Sequence, residues 1–240
     1  ALVDLGKHLG LFKDKVELSG SLEAEKTKLD DFDSVDISMT DMNLQVVPSD
    51  DRSCYISYQA SDQTKDPMSY QVKDGKLTIQ ENDNTGKFYY HVDIGFLSGL
   101  LGGGPVTTDE NVVTLYIPEE QEWKMADIKT DMSNIMLNGC KIENGTVQSN
   151  SGDIYFKNCD FDNLKIDSDM GYIHFIGTED VMGAWNIQID TDMGNIDVDD
   201  ALGGKVKEDE DDCDLSYTQK GKGGKLVIQT DSGDVSLDCR

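Results

Sequence analysis

From residue 121 onward the chain alternates apolar and polar positions in short runs, and the runs recur. "IKTDMSNIML", "VQSNSGDIYF", "IDSDMGYIHF", "IDTDMGNIDV" and "IQTDSGDVSL" share one pattern: apolar, any, hydroxyl, acid or amide, any, small, any, apolar, any, apolar. The apolar residues closing each copy, with a degraded copy at Leu215, are Ile135, Ile154, Ile173, Ile196, Leu215 and Val235, spaced 19, 19, 23, 19 and 20 residues apart. Period-two alternation is a strand signal, and units this short do not suit helical repeats. The pattern predicts an all-β chain: a parallel β-solenoid with rungs of about 19 residues, coiled right-handed as parallel crossovers are.

Within one unit, Leu164, Ile166 and Ser168 face in while Lys165, Asp167 and Asp169 face water. Gly152, Gly171, Gly194 and Gly233 are expected to turn the chain through φ > 0, where a Cβ would clash. Ile173 and Phe175 then point in and His174 out. The longer step, "GTEDVMGAWN", should carry its additional residues as a loop. Stacking predicts a column of Ile128, Val147, Ile166, Ile189 and Ile228, with Thr130, Ser149, Ser168, Thr191 and Thr230 beside it. A single unit cannot bury its own apolar face, which is why the phrase repeats.

The first half is less regular. "ISMTDMNLQV" aligns without gaps to "IDTDMGNIDV", so the same corner occurs once early. "CYISYQA" and "NVVTLYIP" read as strands, the latter stopped by Pro118, and "SYQVKDGKLTIQ" reads as a hairpin turning at Asp74-Gly75. The expected organisation is one continuous domain. Residues 1–30 form a cap or linker, 31–120 an irregular β region whose hairpin starts the solenoid, and 121–240 the regular rungs.

Charge narrows the partners. There are 47 acids against 21 bases, a net charge of −26. Phosphate binding needs concentrated Lys and Arg, so nucleic acid is excluded as a partner. Cations, cationic peptides and basic protein surfaces remain, beside plain solubility through self-repulsion. No run approaches the ~20 apolar residues that span a bilayer; "GFLSGLLGGG" at 95–104 is expected to be a mobile apolar loop. The chain opens at Ala1 without a signal peptide, consistent with an export segment or anchor removed upstream. Five cysteines without CxxC spacing argue against a zinc site and a full disulfide framework. Cys140 and Cys159, 19 apart, should stack in adjacent rungs as a buried thiol ladder, their side chains parallel.

The series "VDISMTDMNLQVVPSDDRSCYISY", "YQVKDGKLTIQE", "VTLYIPEE", "IKTDMSNIMLNG" and the "SNSGDIYF" type resembles a bacterial β-strand-repeat family of unknown function labelled "putative adhesin". The likeness runs over residues 30–240 in that family's order. It implies a parallel β-solenoid at the cell surface or envelope, outside the cytoplasm and often behind a membrane anchor; a cytoplasmic location is the alternative.

Chemistry has few footholds. Asp131, Asn150, Asp169, Asp192 and Asp231 should share one corner column, and Asn134, Asp153, Tyr172, Asn195 and Asp234 another. Such residues suit turns, since Asp and Asn bond local backbone, and they equally suit hard cations. The insertion Glu208, Asp209, Glu210, Asp211 and Asp212, flanked by Asp192 and Asp231, either splays into water or gathers Ca²⁺ weakly, in the millimolar range of extracellular modules. Trp123 and Trp185 either pack against rung ends or form a recognition strip. Two arginines, scattered histidines and the lack of a GxSxG, HExxH or phosphate-loop motif leave no assignable catalytic residue. The leading expectation is a non-catalytic envelope module that binds protein, glycan or a cationic ligand through acidic corners and loops. A structural or regulatory domain of an envelope-stress system and a carbohydrate-active β-helix enzyme are the alternatives.

Overall fold

The computed structural model describes residues 26–59, 67–82, 111–119, 121–208 and 214–240. The apolar run at 95–104, residues 1–25 of the expected cap, and Asp209 to Asp212 lie outside them. The described chain is all-β. Its first half holds β1 (Thr27–Lys28), β2 (Ser34–Met39), β3 (Asn43–Pro48), β4 (Tyr55–Gln59), β5 (Met68–Lys73), β6 (Lys76–Glu81) and β7 (Val112–Ile117). Next come β8 (Glu122–Thr130), β9 (Ile135–Asn138), β10 (Lys141–Ser151), β11 (Ile154–Lys157), β12 (Asp160–Met170) and β13 (Ile173–Gly177). A short helix, α1 (Glu179–Met182), precedes β14 (Asn186–Thr191), β15 (Ile196–Val198), β16 (Lys205–Glu208), β17 (Leu215–Gln219), β18 (Lys225–Thr230) and β19 (Val235–Cys239).

The strands form two open sheets. One runs β1-β4-β7-β3-β9-β11-β13-β19-β15 and the other β16-β17-β14-β18-β12-β10-β8-β2-β6-β5. Each corner phrase carries the chain from one sheet to the other, as from β10 to β11. Alternation then sends every second side chain into a common core, a single cluster drawing residues from both sheets. Ile135, Ile154 and Ile173 are register partners, as are Leu137, Phe156 and Phe175. The Phe156 and Phe175 rings stack with centroids 4.5 Å apart. In the facing sheet, Ile79, Ile37, Ile128, Val147, Ile166, Ile228 and Ile189 form one column, nearly free of solvent.

The expected chain-order stacking holds only in the middle, from β8 to β13. Beyond it, β12 and β13 pair with β18 and β19, and these pair in turn with β14 and β15. The last strands of the chain therefore fill a level that the preceding ones skipped. The longer step is the skip itself: it contains α1, which buries Met182, rather than a simple loop. The Leu215 copy is not a level of its own. β17 runs antiparallel to β14 in register Leu215↔Thr191, and β16 runs antiparallel to β17. At the other end β2 and β3 lie between β8/β9 and β6/β7, so chain order inverts there too.

Both ends of the ten-stranded sheet finish in antiparallel partners, β5 beside β6 and β16 beside β17, so antiparallel strands bound the parallel stack on either side. The β5–β6 turn has φ of 51° at Asp74 and 77° at Gly75, the left-handed pair that a two-residue hairpin requires.

The corner glycines are needed for a different reason than expected. Of the four, only Gly171 has positive φ, 122°. What unites them is close approach: a Cβ on Gly152 would strike the Ser133 carbonyl, on Gly171 the Gly152 carbonyl, on Gly233 the Gly171 carbonyl, and on Gly194 the Gly233 carbonyl. Stacked corners leave no room for a side chain between levels.

Candidate interaction surfaces

The corner amides and acids act between levels. Asn43 Oδ1 accepts the Asn134 backbone N–H at 2.9 Å, Asn134 Oδ1 that of Asp153 at 2.8 Å, and Asp153 Oδ1 that of Tyr172 at 2.9 Å. Asp234 Oδ1 accepts the Asn195 N–H at 2.8 Å. A corner breaks the strand ladder and strands an N–H; the side chain of the neighbouring level satisfies it. At the β2–β3 corner the N–H groups of Thr40, Asp41 and Met42 donate to the Glu81 carboxylate at 2.6, 2.9 and 3.0 Å. Burial, then the nearby Glu81 and Asp131 charges, push the Asp41 carboxyl above its ordinary value.

The second corner column points outward. Asn150 Nδ2 donates to Asp131 Oδ1 at 2.7 Å, so an amide separates charges that would otherwise stack. Asp169, Asp192 and Asp231 are exposed, and between them project Met132, Met170 and Met193, exposed to 36%, 53% and 72%. Of the expected calcium ligands, Asp192 and Asp231 follow the paired Thr191 and Thr230, so they occupy neighbouring levels. Glu208 pairs with Leu215, which pairs with Thr191, two strands away. Asp209, Glu210, Asp211 and Asp212 lie outside the described residues. Among the described residues no group of three or more His, Cys, Asp or Glu is arranged to hold a metal ion.

Cys140 and Cys159 precede the register pair Lys141 and Asp160; both are buried and free. The Cys159 thiol donates to the Leu137 carbonyl at 3.3 Å. Contact with Cys159, together with burial, pushes the Cys140 thiol well above its usual range. Trp123 and Trp185 are buried, Trp185 against Phe161 at 4.3 Å with its Nε1–H donated to Asp160, so neither forms a recognition strip.

The outer face of the nine-stranded sheet corrects the expectation for His174. It points away from the core yet is only 8% exposed, with Nε2 2.8 Å from Asp238 Oδ2. Register places it beside Tyr155, with ring centroids 6.1 Å apart, and Tyr172 closes over both while donating its hydroxyl to Ser236 at 2.6 Å. Burial, then Asp153, pushes the Tyr155 hydroxyl up. Alternation told which face His174 takes, but not that large neighbours would cover it.

The outer face of the ten-stranded sheet went unnoticed in the sequence. A groove of about 490 Å³ crosses it, lined in part by Met125, Asn144, Asn163, Lys165, Lys225 and Val227. Asn163 Nδ2 donates to Asn144 Oδ1 at 3.2 Å across neighbouring strands.

Three solved structures resemble this fold. A "putative cell adhesion protein" from Clostridium sporogenes aligns over 91% of this chain and all of its own, at 11% identity and a TM-score of 0.57. A "putative adhesin" from Bacteroides fragilis aligns over 90% of this chain and 96% of its own, at 12% identity and TM-score 0.38. A "putative lipid binding protein" from Parabacteroides distasonis aligns over 89% and 96%, at 11% identity and TM-score 0.26. Only the first likeness is close enough to support the fold. No curated protein matches the sequence. The family model described as Toastrack DUF4097 matches residues 32–240, and the chain belongs to that family.

Proposed function

We propose that this chain is a non-catalytic interaction module of the bacterial cell surface, adhesin-like, held outside the cytoplasm. Its scaffold is a right-handed parallel β-solenoid in the middle levels, capped at both ends by antiparallel strands. Corners and faces repeating at about 4.8 Å meet a protein, a glycan or a cationic ligand.

One observation carries this reading: the corner column of Asp131, Asn150, Asp169, Asp231 and Asp192 repeats along one edge on backbone fixed by the cross-level bonds. A regular, rigid series of like groups suits multivalent contact, where each added contact is made at high effective concentration. The cell adhesion description of the Clostridium sporogenes fold neighbour agrees with this role.

A binding array of glycans and cationic peptides tests the proposal. Retention of at least one class, without chemical change to the ligand, is the expected result. Turnover of a polysaccharide on the array would replace the reading with an enzymatic one, and silence across the array would remove it.

A further inference from the structure

Two methionines stand on the outer faces of the two sheets and meet opposite surroundings. Met125, on the ten-stranded sheet, is 49% exposed, whereas Met136, on the nine-stranded sheet, is 3% exposed. Met136 points away from the core, because Ile135 and Leu137 on either side of it point in. Its register partner Tyr155 is 2% exposed, and Ile176 on β13 is 6% exposed. With Tyr172 packed against them, these three form an apolar cluster separate from the core. The outward Lys129, Gln148, Lys165 and Gln229 of the ten-stranded sheet are all exposed. One outer face is open and the other is covered.

Flanking side chains shield the sides of a residue on a sheet face, but not its end. Met136, Tyr155 and Ile176 therefore lie beneath a further layer. Their exposures are those of the single chain, so the chain itself supplies that layer. Among the described residues no helix or strand does so: every strand belongs to one of the two sheets, and α1 buries Met182 in the core. Beyond the described residues, 60–66 and 209–213 are short and polar, and apolar side chains are plentiful only in 1–25 and 83–110.

The first of these stretches fits the face in pattern and in reach. Leu2, Leu5, Leu9, Phe12 and Val16 recur at alternating steps of three and four, the apolar stripe of an amphipathic helix. Gly6 and Gly10 would make such a helix weak alone, so it needs a surface to pack on. Lys26 leads into β1, the edge strand of the nine-stranded sheet. From there β9, β11 and β13 are the fourth, fifth and sixth strands along, about 19–29 Å away. A helix over residues 2–18 would be about 25 Å long. Residues 19–25 reach up to about 23 Å, so the stripe can cross all three strands.

We propose that residues 2–18 lay their apolar stripe on Met136, Tyr155 and Ile176 as a third layer over the nine-stranded sheet. The expected cap or linker is then a cover for one face, and the ten-stranded sheet keeps the broad face open to a partner. The inference is independent of the interaction-module reading, since it concerns which face is covered, whether or not an array ligand binds.

Oxidation of the full chain by dilute hydrogen peroxide, read methionine by methionine by mass spectrometry, tests it. Met136 should react at least about tenfold more slowly than Met125, in line with their exposures. Leu5→Asp/Leu9→Asp/Phe12→Asp should raise the Met136 rate at least about tenfold, while the core Met42 and Met182 stay slow. Leu9→Ser should act in the same direction to a smaller extent. Lys7→Ser/Asp14→Ser, on the side opposite the stripe, should change nothing. If the triple variant also frees Met42 and Met182, its fold is lost and Leu9→Ser decides. A fast Met136 in the unaltered chain, or one unmoved by the stripe variants, would overturn the proposal. So would release by Phe96→Asp/Leu100→Asp instead, which would assign the cover to residues 83–110. Protection that fades on dilution would assign it to a second copy and overturn it equally.

Discussion

The middle of the molecule and its ends are made of the same phrase but assembled differently. From β8 to β13 each strand lies beside the next copy of itself in the chain. At the C-terminal end the final pair, β18 and β19, enters between β12/β13 and β14/β15; at the N-terminal end β2 and β3 separate β6/β7 from β8/β9. The difference shows that the phrase specifies a level but not its place. Ile166 meets Ile228 as well as it would meet Ile189, because both levels present the same residue type at the same register. Placement then falls to what lies between the levels, such as α1 with its buried Met182 and the Trp185 that stacks on Phe161.

Truncation should separate the two regions most sharply. Deleting residues 225–240 from a chain-ordered stack would trim one end; here it removes an interior level and leaves β14 and β15 without their parallel partners. The melting temperature should fall by more than about 10 °C, and hydrogen exchange should show protection lost in β14, β15, β16 and β17 while β8 to β11 remain protected. Next in size is Gly171→Val, which combines a φ of 122° with collision against the Gly152 carbonyl. It should cost about 3 kcal/mol or more by denaturant unfolding. Gly203→Ala, where nothing lies within 4 Å of the added Cβ, should be near neutral.

Asp153→Ala removes acceptors for the Tyr172 N–H and the Tyr155 hydroxyl, and should destabilise by about 1–3 kcal/mol. Asp169→Ala, in the exposed column, should stay within about 0.5 kcal/mol. Smallest is the calcium proposal for the acidic insertion after Lys207. A millimolar site should raise the melting temperature by about 2–4 °C in several millimolar CaCl₂ relative to EDTA. Equal values would remove it.

Strands and their inward residues were legible because period-two alternation is local: Ile154, Phe156, Val147 and Ile166 all face the core as expected. The hairpin at Asp74-Gly75 was legible because its turn chemistry is local too. Stack order was not, since identical inward columns make levels interchangeable. The corner residues stand out in the sequence as a class, but their work spans two levels. Asn134 serves Asp153 and Gly171 clears Gly152, which only the register reveals. His174 was read from alternation, which assigns a face but not a neighbourhood. The groove on the ten-stranded sheet was hidden because its members, from Met125 to Val227, come together only through the pairing of β8, β10, β12 and β18.

The order of levels is tested most directly by two cysteine pairs on the outer face of the ten-stranded sheet. Asp167 is the register partner of Gln229, which is the register partner of Asp190. Neighbouring strands lie about 4.8 Å apart and strands one further about 9.6 Å apart. With a spin label on each thiol, Asp167→Cys/Gln229→Cys should give the stronger dipolar broadening and Asp167→Cys/Asp190→Cys the weaker. The reverse outcome would mean that the levels follow the chain, contradicting the interleaved end.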